Sequence, residues 1–158
     1  MRIFRNVLSL DERRALVAEL DAQEWMVLVE RRPPRRPPRS IAFLLSNELV
    51  SILTAIAGAV HRDALIHNYA VGASLHAHGD SETTLVVLLR APERGGYLYV
   101  EGRRPSLAEG DAVLIPAYAI HHVTRVRKGR RVSLIVDKRP QPGRSSVTGD
   151  ADGLLEVI

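Results

Sequence analysis

Residues 64–90, ALIHNYAVGASLHAHGDSETTLVVLLR, decide the fold. They hold three short runs rich in β-branched and aliphatic residues, 64 to 71, 74 to 80 and 83 to 90, separated by turn-forming Gly, Asp and Ser. The same rhythm continues through 96 to 101, 111 to 115, 119 to 127 and 130 to 136, which predicts seven short strands. Glu93-Arg94-Gly95-Gly96 and Arg127-Lys128-Gly129 read as hairpin turns, in which glycine supplies positive φ. The expected fold class is mainly β with N-terminal helices, a jelly roll or barrel carrying helices on one sheet.

Upstream, Ser9-Leu10-Asp11-Glu12 reads as a capping box. Leu16, Val17 and Leu20 then repeat at helical spacing. A second helix is expected from Asn47 to His61, with Leu49, Ile52, Leu53, Ile56 and Val60 as its apolar stripe. Between the helices, Arg31 to Arg39 holds four prolines, which fix φ and remove amide donors. An exposed loop follows from that composition, either a plain connection or a basic lid for an anionic group. From Pro140 the chain is rich in Pro, Gly, Ser and Asp. One domain is expected over 1–158: helical support 1–62, a β core 63–138 and a loose tail 139–158.

The 158 residues suffice to bury a sizeable core, and 46% hydrophobic with 25% charged residues is an ordinary globular composition. No apolar run approaches the roughly 18 residues of a spanning helix, so no membrane partner is expected. With no cysteine and no leader pattern, a cytoplasmic location is the expectation. The formal charge of +4 could suit nucleic acid, but 4% aromatic residues leave few rings for base stacking. No nucleic-acid partner is expected; the partner sought is a small-molecule substrate. A homodimer is one arrangement that exposed barrel edges permit.

Four of the six histidines form two clusters, His76/His78 and His121/His122. In a strand, alternation points His76, His78 and Asp80 to one face. If His121 reaches the same point, two histidines and a carboxylate make a facial triad with open positions, the arrangement of non-haem Fe(II) oxygenases. A structural zinc site would instead close its shell.

Gly110-Asp111 to Pro116, then His121-His122-Val123 and Gly129-Arg130-Arg131-Val132-Ser133, add a second half. Together the two halves resemble the prolyl-4-hydroxylase branch of the Fe(II)/2-oxoglutarate oxygenases over about Leu65 to Val136. The resemblance implies a double-stranded β-helix, metal ligands His78, Asp80 and His121, and cosubstrate contacts from Arg131, Ser133 and Tyr69. Arg131 stands ten residues after His121 and Tyr69 nine before His78, as that pattern expects. Ile115 and Tyr97 depart from it, the first where an aromatic residue is usual, the second where an acid is. The implied cofactors are Fe(II), 2-oxoglutarate and O2, and the implied activity is hydroxylation of an unactivated C–H bond. An amino-acid-like or natural-product molecule is the expected substrate class. Independently, a dianion in a barrel needs a buried positive partner, and guanidinium grips carboxylate through paired hydrogen bonds.

A cupin is the rival reading. Gly72, His76, His78 and Glu82 follow a cupin's first motif, which would make His76, His78, Glu82 and His121 the ligands of a metalloprotein acting as dioxygenase, sugar-modifying enzyme or sensor. Tyr118 and Arg125 break its second motif. His76, Trp25 and Arg35 are candidate substrate contacts. Alternation turns His122 and Arg130 outward. Tyr118 is a surface or gating residue, and His61 and His67 receive no role.

Overall fold

The computed structural model describes residues 1–22 and 36–139, together with the backbones of 147–149 and 155–157. Strand β1 (Arg2–Phe4) leads to helix α1 (Leu10–Ala22), strand β2 (Arg39–Leu44) and helix α2 (Asn47–Ala57). The β core follows as β3 (Asp63–Tyr69), β4 (Leu75–His78), β5 (Thr84–Arg90), β6 (Arg94–Gly95), β7 (Leu98–Val100), β8 (Ala112–Ile115), β9 (His121–Val123), β10 (Val126–Lys128) and β11 (Arg131–Asp137). Two further strands, β12 (Val147–Gly149) and β13 (Leu155–Val157), pair only with each other, where a loose tail is expected from composition.

Six strands form the main sheet in the order β1-β8-β5-β11-β3-β2, every pairing antiparallel. A second sheet, β4-β9-β7, lies opposite, with β10 and β6 as a separate pair. The double-stranded β-helix expected from the resemblance is this two-sheet arrangement.

Period-two alternation divides the main sheet into two working faces. On β11, Val132, Leu134 and Val136 join the cluster under the helices, with Leu85 and Val87 of β5 and Ile66 of β3. Leu16 and Leu20 of α1 and Leu49 and Leu53 of α2 fill the same layer. The opposite face carries Tyr69, Val86, Val113 and Ile115 against Val100, Val123 and Val126. Because β5 is covered on both faces, Leu85 to Leu89 reads as an unbroken apolar run and not as an alternating one.

The Ser9/Glu12 capping box forms, with Glu12 N donating to Ser9 Oγ at 3.1 Å and Ser9 N to Glu12 Oε1 at 2.8 Å. Ser46 caps α2. That helix stops at Ala57, short of His61: Gly58 takes φ +82, Val60 bridges to Lys138, and His61 N donates to the Asp137 carbonyl. The segment 1–62 is also not purely helical. β1 and β2 extend the main sheet at both edges, β2 because Ile41 and Phe43 alternate with polar or exposed positions against β3. The expected run 119–127 splits into β9 and β10, whereas 96–101 holds β7 alone and β6 falls within the expected turn 93–96. Of the Arg/Pro segment, Arg36 bridges to Ala73 and Arg39 opens β2, while 31–35 lie outside the described residues.

Two polar ties hold the added elements. Asp111 is buried and accepts from Arg5 Nη1 (2.7 Å), Asn6 N (3.0 Å) and Ala108 N (2.9 Å), fixing the end of β1 to the start of β8. Arg130, expected simply at the surface, forks onto both carboxylate oxygens of Asp21 at 2.8 and 3.0 Å and so clips α1 to the sheet. Among the described residues no helix is long and apolar enough to cross a membrane.

Burial alone would raise the Asp111 pKa, yet the bonds from Asn6, Ala108 and Arg5 outweigh it and hold the carboxyl below its ordinary value. The stabilisation is therefore complete above the unfolded value of 3.8 and is lost as pH falls through the depressed folded value. Asp111→Ala should lower the urea-unfolding free energy by about 2 kcal/mol at neutral pH, and the gap to the parent protein should shrink on acidification.

Candidate metal and ligand site

The space between the two sheets is a cavity of about 450 Å³. Its floor is the inward face of β3 and β11, where register pairs Tyr69 with Arg131, His67 with Ser133 and Leu65 with Ile135. The opposing sheet supplies His78, which pairs directly with His121 across β4 and β9.

His78, Asp80 and His121 come together. One ligand atom from each lies within 4.8 Å of the others, and no other such group of His, Cys, Asp and Glu occurs among the described residues. Asp80 sits between the imidazoles, Oδ1 at 3.6 Å from His78 Nε2 and Oδ2 at 3.3 Å from His121 Nε2. Both rings are oriented from behind. His78 Nδ1 lies 2.8 Å from the His76 carbonyl and His121 Nδ1 2.9 Å from the Ala119 carbonyl, so each Nδ1–H donates and each Nε2 lone pair faces the gap. Three donors on one side with the cavity on the other is an open site of the two-histidine, one-carboxylate kind that suits Fe(II).

The turn beyond the β4 strand is set by close backbone approach. Gly79 presses on Tyr118, whose carbonyl oxygen would stand 2.9 Å from a Cβ at position 79. Tyr118 N in turn donates to the Asp80 carbonyl at 2.7 Å. Tyr118 itself holds φ +64, a left-handed conformation that a tyrosine rarely adopts, and its side chain is exposed.

His76 and Glu82, required by the cupin ligand set, are not brought to the group. Strand β4 shifts register between Leu75 and His78, so simple alternation fails; His76 is exposed and contributes its carbonyl. The Glu82 carboxylate lies 3.6 Å from His61. His122 faces away and stacks on Tyr99 at 5.1 Å. Trp25 and Arg35 lie outside the described residues.

At the closed end Arg131 is only 4% exposed. Nη1 donates to the Gly96 carbonyl at 3.2 Å, but Nε and Nη2 have no partner among the described residues, nor has the buried Ser133 Oγ. Burial lowers the Arg131 pKa to about 10, so the guanidinium stays charged at neutral pH. Burial likewise lifts the Tyr69 hydroxyl to about 12, against the pull of Arg131, and keeps it a neutral donor. Unpaired buried donors are costly; an anion with two parallel acceptors would satisfy this set.

His67 has no role in the sequence reading yet lines the cavity between these two centres. Burial lowers its pKa to about 4, against the opposing Asp80 charge, so the ring is neutral, and its buried Nδ1 is unpartnered. The available signal was its place two residues before Tyr69, on the same face of one strand.

No protein-family model and no curated protein sequence matches this chain. Solved structures match well in shape. A viral collagen prolyl hydroxylase from Paramecium Bursaria Chlorella virus-1, in a 2OG complex, superposes at TM-score 0.65 with 14% identity, covering 88% of this chain and 96% of that one. A Pseudomonas putida prolyl-4-hydroxylase gives 0.64 and 20% over 88% and 92%. An oxidoreductase of the 2OG-Fe(II) oxygenase family from Burkholderia pseudomallei gives 0.58 and 16% over 83% and 79%. At these identities the likeness establishes the shared fold.

Gly79→Ala should fold but bind Mn(II) at least ~10-fold more weakly, because displacing the turn misplaces two of the three donors. His76→Ala and Glu82→Ala should leave Mn(II) affinity unchanged; loss of binding in either would restore the cupin ligand set.

Proposed function

We propose that this protein is an Fe(II)- and 2-oxoglutarate-dependent oxygenase that hydroxylates an unactivated C–H bond of a small molecule. The observation that carries the reading is one cavity holding both an open His78/Asp80/His121 group and, beyond it, a buried guanidinium with two unpaired nitrogens. A metal site alone suits many folds; the second feature calls for a ligand with an anionic end. The shape likeness to prolyl hydroxylases supports the same reading.

His78, Asp80 and His121 would hold the iron through Nε2, carboxylate and Nε2. Arg131 would grip the far carboxylate of 2-oxoglutarate, helped by Ser133 Oγ and the Tyr69 hydroxyl, which is too weak an acid to ionise beside it. This anchoring would set the depth of the cosubstrate and direct its 2-oxo acid end toward His78, Asp80 and His121. When both are bound, they supply an oxidant at the cost of 2-oxoglutarate: one oxygen atom of O2 ends in succinate, released with CO2, and the other enters the substrate C–H bond. Leu98, Val86, Val123 and Ile135 wall the cavity with apolar surface and keep bulk water from the reacting centre. His67, held neutral, adds no charge to compete with Arg131 for the carboxylate.

The test is an anaerobic titration of 2-oxoglutarate into the Fe(II)-loaded protein, following the visible metal-to-ligand charge-transfer band. A saturable band is expected. Arg131→Ala should raise the dissociation constant at least ~30-fold, the equivalent of about 2 kcal/mol for stripping one partner from a buried charge pair. Ser133→Ala should raise it about fivefold. Metal binding without a band would remove the proposal.

A further inference from the structure

The two ends of the cavity are opposite in charge. At the closed end stands Arg131; at the other, where β5 begins and β11 ends, the lining includes the side chains of Glu82 and Asp137. Among the described residues neither carboxylate is matched by a fixed cation. Glu82 has the His61 imidazole at 3.6 Å, charged only when protonated, and Asp137 Oδ1 accepts from the Thr84 hydroxyl at 3.0 Å. The nearby cations are turned elsewhere: Lys138 lies along Gly58, and Arg62 donates to Asn47 at 2.6 Å.

This placement runs against the protein as a whole, whose formal charge is +4. Two carboxylates at one cavity, with no cation between them among the described residues, raise the affinity of that end for a positive group. That a ligand enters this cavity is marked by the buried Ser133 Oγ and Arg131 nitrogens along its floor, which have no partner among the described residues.

We infer that Glu82 and Asp137 are specificity-determining residues that select a cationic substrate, one bearing a protonated amine a few bonds from the carbon that is oxidised. The inference rests on the proposed Fe(II)/2-oxoglutarate chemistry. In the loaded site, metal, Asp80, the dianionic cosubstrate and Arg131 balance one another, so the charge the substrate meets is that of the two outer carboxylates. A carboxylate-bearing substrate is repelled there, and Arg131 is already engaged. The amine docks on Glu82 and Asp137, which places the neighbouring carbons beside the triad and holds the nitrogen itself away from the oxidant.

The experiment uses the full chain loaded with Mn(II) and saturated with 2-oxoglutarate, and reads paramagnetic broadening of the proton signals of pentylamine, piperidine, pentan-1-ol and pentanoate. Both amines should broaden at concentrations where the alcohol and the acid do not. Glu82→Gln and Asp137→Asn should each weaken amine binding, up to ~5-fold per carboxylate, the upper end for a solvent-accessible ion pair. Each variant should keep the parent's Fe(II)/2-oxoglutarate band, which shows the fold and the cosubstrate site intact. Equal broadening by pentylamine and pentan-1-ol, or full amine binding by the double variant, overturns the inference alone. Failure of the parent protein to form the band overturns the oxygenase reading and this inference with it.

Discussion

A guanidinium enclosed within the fold, with two nitrogens that have no partner among the described residues, is the constraint around which the site is organised. Leaving such donors dry costs several kcal/mol unless a ligand completes them. The fold carries that cost because Arg131 sits on the most heavily paired strand. β11 bonds to β3 on one side and β5 on the other, and Val132, Leu134 and Val136 lock its far face into the core under the helices. Turning Arg131 outward would require turning those three residues inward to the cavity, since a strand cannot rotate one side chain without its neighbours. The same alternation places Ser133 and Ile135 on the cavity floor.

The opposing sheet works differently. It is short, irregular and bent by a register shift, and its donors are aimed by local backbone contacts: two carbonyls behind two imidazoles, and a glycine pressed against a strained tyrosine turn. A rigid main sheet thus fixes the buried guanidinium, while a small sheet with stored turn strain fixes the clustered His78, Asp80 and His121. Asp111 and the Arg130–Asp21 fork tie the N-terminal elements to this frame.

Much of this was legible from local chemistry. The strands from Leu65 to Val136 announce themselves by composition, the capping box at Ser9 by its reciprocal spacing, and His76, His78, Asp80 and His121 by type and alternation, while Arg131 was singled out by the family resemblance. The misreadings have physical causes. The apolar pattern of α2 runs on to Val60, but the positive φ of Gly58 ends the helix and hands Val60 to a bridge with Lys138. β1 is three residues long and is held by long-range contacts, its pairing with β8 and the packing of Ile3 and Phe4 into the core. His76 looks equivalent to His78 under ideal alternation, and the register shift in β4 breaks that equivalence.

The sequence by itself determined the residue types and their periodicity, hence a helix-backed β fold and a set of candidate donors, because both depend on contacts within a few residues. Only the tertiary structure decided which donors meet. Asp80 and His121 are separated by forty intervening residues, Glu82 turns toward His61, and His67 comes to lie opposite Ser133 because β3 pairs with β11 in one register. Those outcomes depend on strand pairing at long range, which fixes position in space through hydrogen-bond register and packing and leaves no local mark in the chain.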